Sequence, residues 1–238
     1  MATTRGLLRL TATLVVVVVA TLALTVFRPV TKQILQAVGV LPAREQMPGY
    51  RAALARFAEE NTQLRPGCTL LIGDSLTEAF PPTLLSERGW TNRGISGDRI
   101  KHMRQRLHVS VLETPCETVA VLAGTNDIVG DRRASADVAA DLRTLVLRLE
   151  EAGRNVVLQT LPPTRGRLAR TNRALREVNA AIVEAPATVT FDLHTVLVDR
   201  SGELRGSYSR DGLHLTRAGY AVWASGLERA LLDLQDTK

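Results

Sequence analysis

The sequence predicts an α/β domain, a three-layer α/β/α sandwich around a parallel five-stranded sheet, preceded by a transmembrane helix. From about residue 49 onward, short strands that read as continuous apolar runs alternate with amphipathic helical stretches. Strands that are apolar on both faces belong in a parallel sheet covered by helices on each side. At the other end, Leu10 to Phe27 forms 18 residues without a charge. As a helix this run is about 27 Å long, close to the hydrocarbon thickness of a bilayer.

The chain of 238 residues therefore divides into a signal anchor over 1–27, a connector over 28–48 that contains Pro29, Pro42 and Pro48, and one globular domain over 49–238. Arg5 and Arg9 precede the apolar run and favour an orientation with the N-terminus inside. The alternative is a cleaved signal peptide, for which Thr21-Leu22-Ala23 is a poor cleavage site. Both readings put the domain outside the cytoplasm, membrane-anchored if the segment stays and secreted if it is removed.

Within the domain, GYRAALARFAEENTQL reads as a helix, with Ala53, Leu54, Phe57 and Ala58 at helical spacing, and Pro66-Gly67 ends it. CTLLIG is the first strand and WTNRGIS the second. DRIKHMRQRLHVSVL is expected to be one helix with Asp98 near its start. ETVAVLAG is the third strand. ASADVAADLRTLVLRLEEAG follows as an amphipathic helix, with Ser135 as its expected cap and Gly153 as its stop. RNVVLQTL is the fourth strand, ARTNRALREVNAAIVEA a helix, TVTFDL the fifth strand, and TRAGYAVWASGLERALLDL the last helix.

The net charge is +6, with 45% hydrophobic residues and 4% aromatic. A basic chain has nucleic acid, anionic lipid or acidic polymers as possible partners. Nucleic acid is not expected, because zinc-finger spacing and an aromatic stacking strand are both missing. The cluster Arg165, Arg167, Arg170, Arg173 and Arg176 reads as a solvated basic face, with contact to anionic headgroups or an acidic substrate as the alternative. There is no metal-ligand spacing of Cys and His, no G-x-G-x-x-G after a strand and no G-K-[ST]. No cofactor and no metal are expected.

Parallel sheets bind ligands beyond the carboxyl ends of their strands. Ser75 follows the first strand in LLIGDSLTEAF, Gly94 and Gly97 follow the second in NRGISGD, Asn126 follows the third in GTND, and Asp211 and His214 follow the fifth in SRDGLHLT. Acyl transfer needs this set. A serine hydroxyl is a weak nucleophile until a base takes its proton, and an imidazole is that base near neutral pH. A carboxylate three residues away can fix the imidazole tautomer. The Ser75 and Gly97 backbone N–H groups and the Asn126 amide are the candidate oxyanion donors.

These stretches, IGDSLTE, NRGISGD, LAGTNDI and DGLHLTRAGY over residues 71 to 220, resemble the four sequence blocks of the SGNH (GDSL) hydrolases, in order. The wording is most similar to the bacterial lysophospholipase/thioesterase and platelet-activating-factor acetylhydrolase branches. The resemblance implies Ser75 as nucleophile, His214 as base, Asp211 as its partner, and Gly97 and Asn126 as oxyanion donors. It also implies a flavodoxin-like strand order 2-1-3-4-5 and no cofactor. In that order the first and third strands are neighbours, so Cys68 and Cys116 would meet at the end of the sheet opposite the active site and form a disulfide. Asp74 is expected to stabilise the turn, Asp192 to accept hydrogen bonds in its loop, Trp90 and Trp223 to pack, and His102, His108 and His194 to serve no chemistry.

The leading functional reading is a membrane-tethered serine acyl-ester hydrolase acting on a small-molecule, lipid or carbohydrate ester. The alternatives are a cell-envelope carbohydrate O-acyltransferase and a non-catalytic envelope binding protein. An α/β-hydrolase is disfavoured because Thr77 stands where a G-x-S-x-G elbow has its second glycine. The sequence does not fix the oligomeric state.

Overall fold

The computed structural model describes residues 44–183 and 189–236. The apolar run Leu10–Phe27, most of the connector and the end of the helix expected over 169–185 lie outside the described residues. Among the described residues no helix is long and apolar enough to cross a membrane. The chain divides into two compact units at Pro48 and Gly49, and the second unit carries the sheet.

The elements in chain order are α1 (Pro48–Asn61), β1 (Thr69–Gly73), α2 (Ser75–Glu78), α3 (Pro82–Ser86), β2 (Trp90–Gly94), α4 (Ile100–Gln105), β3 (Thr118–Val121), α5 (Thr125–Val129), α6 (Ser135–Glu151), β4 (Asn155–Gln159), α7 (Asn172–Val183), β5 (Val189–Phe191), α8 (Leu193–Leu197) and α9 (Arg217–Asp236). All strand pairs are parallel, in the order β2-β1-β3-β4-β5. The central strands are apolar throughout because both faces are covered: Leu70, Leu71, Ile72, Val119, Ala120, Val121 and Val157 are at most 1% exposed.

Successive strand residues point to opposite faces. On β4, Leu158 lies against the side of α6 and α7, while Gln159 accepts a hydrogen bond from Trp223 Nε1 of α9 at 2.6 Å. The helices α6 and α7 therefore cover one face and α9 the other. Phe80, Trp90, Tyr220 and Trp223 form an aromatic cluster, with Phe80 and Trp223 centroids 5.0 Å apart, that ties the segment after α2 to α9.

Local details depart from the sequence reading in three places. The helix expected over 98–112 is broken into α4 and a π-helical turn, His108–Leu112. Asp98 stands near its start as expected, beside the N-cap residue Arg99, whose backbone N–H donates to His102 Nδ1. Ser135 is the first residue of α6 rather than its cap, and its hydroxyl donates to Glu177 at 2.8 Å. The helix expected from Ala169 begins with a 3₁₀ stretch over Gly166–Thr171.

Cys68 and Cys116 precede β1 and β3, which pair from Thr69 opposite Thr118, and are joined by a disulfide with a Cα–Cα distance of 4.4 Å. The loop it closes has a sequence separation of 48. By chain entropy such a loop corresponds to about 4 kcal/mol. The Cys68→Ser/Cys116→Ser variant should melt roughly 10 °C lower than the parent by calorimetry. An unchanged midpoint would show that this crosslink adds nothing to stability.

Candidate active site

The site begins with a close approach. The first turn of α2 sits directly on the ends of β1 and β2. A Cβ on Gly73 would lie 1.9 Å from Thr77 Oγ1, and one on Gly94 would lie 2.2 Å from Glu78 N. Both positions therefore require glycine. Asp74 is the N-cap of α2 and its Oδ1 accepts from the Leu76 N–H at 2.9 Å. The tight strand-to-helix turn leaves Ser75 half-buried at the carboxyl end of β1.

Ser75 Oγ lies 3.0 Å from His214 Nε2, and His214 Nδ1 lies 2.7 Å from Asp211 Oδ2. The N–H groups of Leu213 and His214 donate to the other Asp211 oxygen at 3.0 and 2.8 Å. Partial burial would raise this carboxyl, but the bonds from the His214 side chain and from the two amides outweigh it and hold the pKa at about 2. Asp211 is therefore ionised at neutral pH and orients the ring. Gly212 joins the pair with a φ of 93°, and its backbone meets Arg165: the Arg165 N–H donates to Gly212 O at 2.8 Å. Tyr220 OH donates to Leu76 O at 2.9 Å and ties α9 to the turn that carries Ser75.

The remaining expected residues come from the loops after β2 and β3. Gly97 is at the third position of the turn from Ile95 to Asp98, with a φ of 76° that favours glycine. Asn126 is the second residue of α5, and its Nδ2 donates to Asp98 O at 2.9 Å and to Asp74 Oδ2 at 3.1 Å. The Asp98 carbonyl can only accept, so this fixes which amide atom faces it. Among the described residues no acceptor takes the backbone N–H of Ser75 or Gly97.

The sequence reading missed Arg106. It is fully buried. Its Nε donates to Asp98 Oδ2 at 2.7 Å, Nη1 to Ser110 Oγ at 2.9 Å and Nη2 to Gly73 O at 3.1 Å. One side chain thus ties the end of β1 to the loop after β2. The available signal was its place on the apolar face of its segment, with Ile100, Met103 and Leu107. His102, His108 and His194 make their bonds outside the Ser75–His214–Asp211 constellation. Among the described residues no group of three or more His, Cys, Asp or Glu side chains is arranged to hold a metal ion.

A family model described as GDSL-like Lipase/Acylhydrolase matches residues 71–222. The N-acylneuraminate cytidylyltransferase of Escherichia coli O18:K1:H7 is 30% identical over 156 residues, which is 64% of this chain but 37% of that protein. The chain thus spans little more than a third of that relative's length. Platelet-activating factor acetylhydrolase IB subunit alpha1 of Rattus norvegicus is 30% identical over 190 residues, 75% of this chain and 81% of that protein. Among solved structures, a GDSL-like lipase from Bacteroides thetaiotaomicron superposes with a TM-score of 0.68 at 20% identity, covering 78% of this chain and 98% of that one. The acetylxylan esterase Axe2 of Geobacillus stearothermophilus gives a TM-score of 0.53 at 20% identity, over 69% and 93% of the two chains.

Asp74 makes the pH dependence of stability testable. Burial raises its pKa to about 7; the Leu76 N–H and His214 oppose the rise, while the charges of Asp98 and Asp127 add to it. The native state then holds a proton that the unfolded state releases near pH 4. Stability from this group is present below about pH 4 and is lost as pH rises through about 7. The stability difference, parent minus Asp74→Asn, should therefore shrink between pH 5 and pH 8 in urea unfolding. A difference that stays constant or grows would show that Asp74 remains ionised throughout.

Proposed function

The chain belongs to the GDSL-like lipase/acylhydrolase family, the SGNH hydrolases, and from that premise we propose that it is a membrane-tethered serine acyl-ester hydrolase acting through an acyl-Ser75 intermediate. The observation that carries this reading is the chain of contacts from Ser75 Oγ to His214 Nε2 at 3.0 Å and from His214 Nδ1 to Asp211 Oδ2 at 2.7 Å.

In the first step His214 Nε2 accepts the Ser75 proton as Oγ attacks the ester carbonyl carbon. The tetrahedral oxyanion is met by the Ser75 and Gly97 N–H groups and by Asn126. The Asn126 hydrogen now directed at Asp74 is the one an oxyanion would take, since the other is held by the Asp98 carbonyl. The C–O bond to the alcohol then breaks, and His214 returns the proton to the departing oxygen. In the second step water gives a proton to His214 and attacks the acyl-enzyme, and the acid leaves as Ser75 recovers its proton. Asp211, ionised throughout, stabilises the imidazolium in both steps.

The tether rests on the apolar run Leu10–Phe27. An extracytoplasmic domain is supported by the Cys68–Cys116 disulfide, since such bonds persist in oxidising compartments.

The test is hydrolysis of p-nitrophenyl esters from acetate to palmitate by the full chain in neutral detergent. Ser75→Ala and His214→Ala should each lower kcat at least roughly a thousandfold, and Asn126→Ala about a hundred- to a thousandfold. A fluorophosphonate should add one covalent mass at Ser75 in the parent only. Undiminished turnover in Ser75→Ala would end the acyl-serine reading. Faster transfer to an added sugar acceptor than to water would make the protein an acyltransferase instead.

A further inference from the structure

The proposed chemistry leaves unused the arginine cluster from Arg165 to Arg176, and the structure sorts its members. Arg165 pairs with Asp199 at 2.8 Å and Arg173 with Glu177 at 3.0 Å. Arg170 instead lines a cavity of about 390 Å³ together with Arg132, Arg133, Ile128, Thr171 and Ala174. In this cavity Arg133 is neutralised, by Asp127 at 3.0 Å and Asp141 at 2.8 Å. Among the described residues Arg132 and Arg170 form neither an ion pair nor a side-chain hydrogen bond. Arg132 also has a backbone φ of 54°, the positive-φ conformation otherwise taken by glycines among the described residues. Arg132 and Arg170 are both exposed, and backbone positions of this kind gather at functional sites.

Two sets of hydrogen bonds attach this cavity to the acyl site. The Gly130 and Asp131 N–H groups donate to Asn126 O at 3.0 and 3.1 Å, so the loop bearing Arg132 is anchored on Asn126 itself. The Arg165 N–H bond to Gly212 O fixes the segment leading to Arg170 on the loop between Asp211 and His214. Arg132 and Arg170 lack the acid partners that Arg133 has, so their charges repel, and an anion relieves that repulsion while accepting charge-assisted hydrogen bonds. The planar guanidinium fork suits a phosphate oxygen pair better than a single ammonium does.

We propose that Arg132 and Arg170, beside Arg133, form a subsite for a phosphate-like anionic group carried by the ester substrate. This rests on the reading of Ser75 as the acylated residue. The subsite gives the enzyme a preference for anionic esters over neutral ones of the same acyl chain.

The test compares two soluble substrates that differ by one phosphate, butyryl glycerol 3-phosphate and butyrylglycerol, with the full chain in neutral detergent. The variant is Arg132→Asn/Arg170→Gln, since Asn tolerates positive φ. The parent should show the lower KM for the phosphate ester. The variant should raise that KM about tenfold, keep kcat, and leave butyrylglycerol kinetics unchanged. Inorganic phosphate should compete with the phosphate ester in the parent and only weakly in the variant. Equal KM values for the two esters in the parent, unaltered in the variant, overturn the subsite while leaving Ser75 chemistry standing. Equal KM values together with variant-sensitive binding to phosphatidylglycerol vesicles, absent with phosphatidylcholine, also overturn it and assign the arginines to the membrane surface. Failure of the folded parent on both esters strikes the Ser75 reading. Calorimetric titration with inorganic phosphate then decides the subsite alone: parent binding that the variant loses upholds it, and no binding sinks it.

Discussion

The carboxyl end of the sheet is held together by a buried ion pair, Arg106 to Asp98 at 2.7 Å. Both side chains are fully buried, so each depends on the other and on the bonds that satisfy what the pair leaves over. Arg106 also donates to Gly73 O and Ser110 Oγ, and the Asp98 carbonyl accepts from Asn126. Removing one partner of such a pair commonly costs about 3–5 kcal/mol, because the other charge is left buried and alone. The contribution here is less to net stability than to register. A single guanidinium links the end of β1, the turn after β2 and, through Asp98, the start of α5. Ser75, Gly97 and Asn126 stand on those three segments.

Close approach does the rest of the positioning. Because Gly73 and Gly94 lack side chains, the first turn of α2 can rest on two adjacent strand ends. The Ser75 backbone N–H is then the first amide of a helix capped from below by Asp74. Phe80, packed among Trp90, Tyr220 and Trp223, prevents that short helix from lifting. The His214 loop comes from the far side of the sheet and is fixed by its own bonds: the Arg210 N–H donates to His214 O at 2.8 Å and Arg165 holds Gly212. The two braced halves meet where Ser75 faces His214, and the Tyr220 hydroxyl on Leu76 O joins them a second time.

The five strands and the residues at their ends were legible because continuous apolar runs and strand-end motifs are local signals. So was the pairing of Cys68 with Cys116, once the strand order was in hand. What escaped was of two kinds. The helices α2, α3 and α8 have four or five residues each, too few for a 3.6-residue period to show. Arg106 escaped because an arginine in a helix usually faces water, and only its alignment with Ile100, Met103 and Leu107 hinted otherwise. Arg106 stands at the break itself, as the C-cap residue of α4, and its partner Ser110 lies in the π-helical turn His108–Leu112 that follows. Ser135 misled for a related reason. A serine before an apolar helix is a common cap, but Glu177 on the neighbouring helix offers its hydroxyl an acceptor.

Two carboxylates flank Ser75, and their environments separate their roles. Asp74 is adjacent in sequence and 1% exposed, and burial among other acids drives its pKa up to about 7. Asp211 is more than 130 positions away, more than half exposed as a side chain, and held at about 2 by its bonds to His214 and two amides. A carboxylate that must stabilise an imidazolium has to be ionised before the proton moves, which only Asp211 is across the neutral range. Asp74 is suited to a different task. One of its oxygens caps α2, which carries the Ser75 amide, and the other holds the Asn126 amide. It thus orients two of the expected oxyanion donors at once. A carboxyl near its midpoint at pH 7 is also a weaker competitor for the Asn126 hydrogen than a full carboxylate would be. In the proposed mechanism, the same burial that makes Asp74 a poor partner for His214 would leave Asn126 easier for a developing oxyanion to claim.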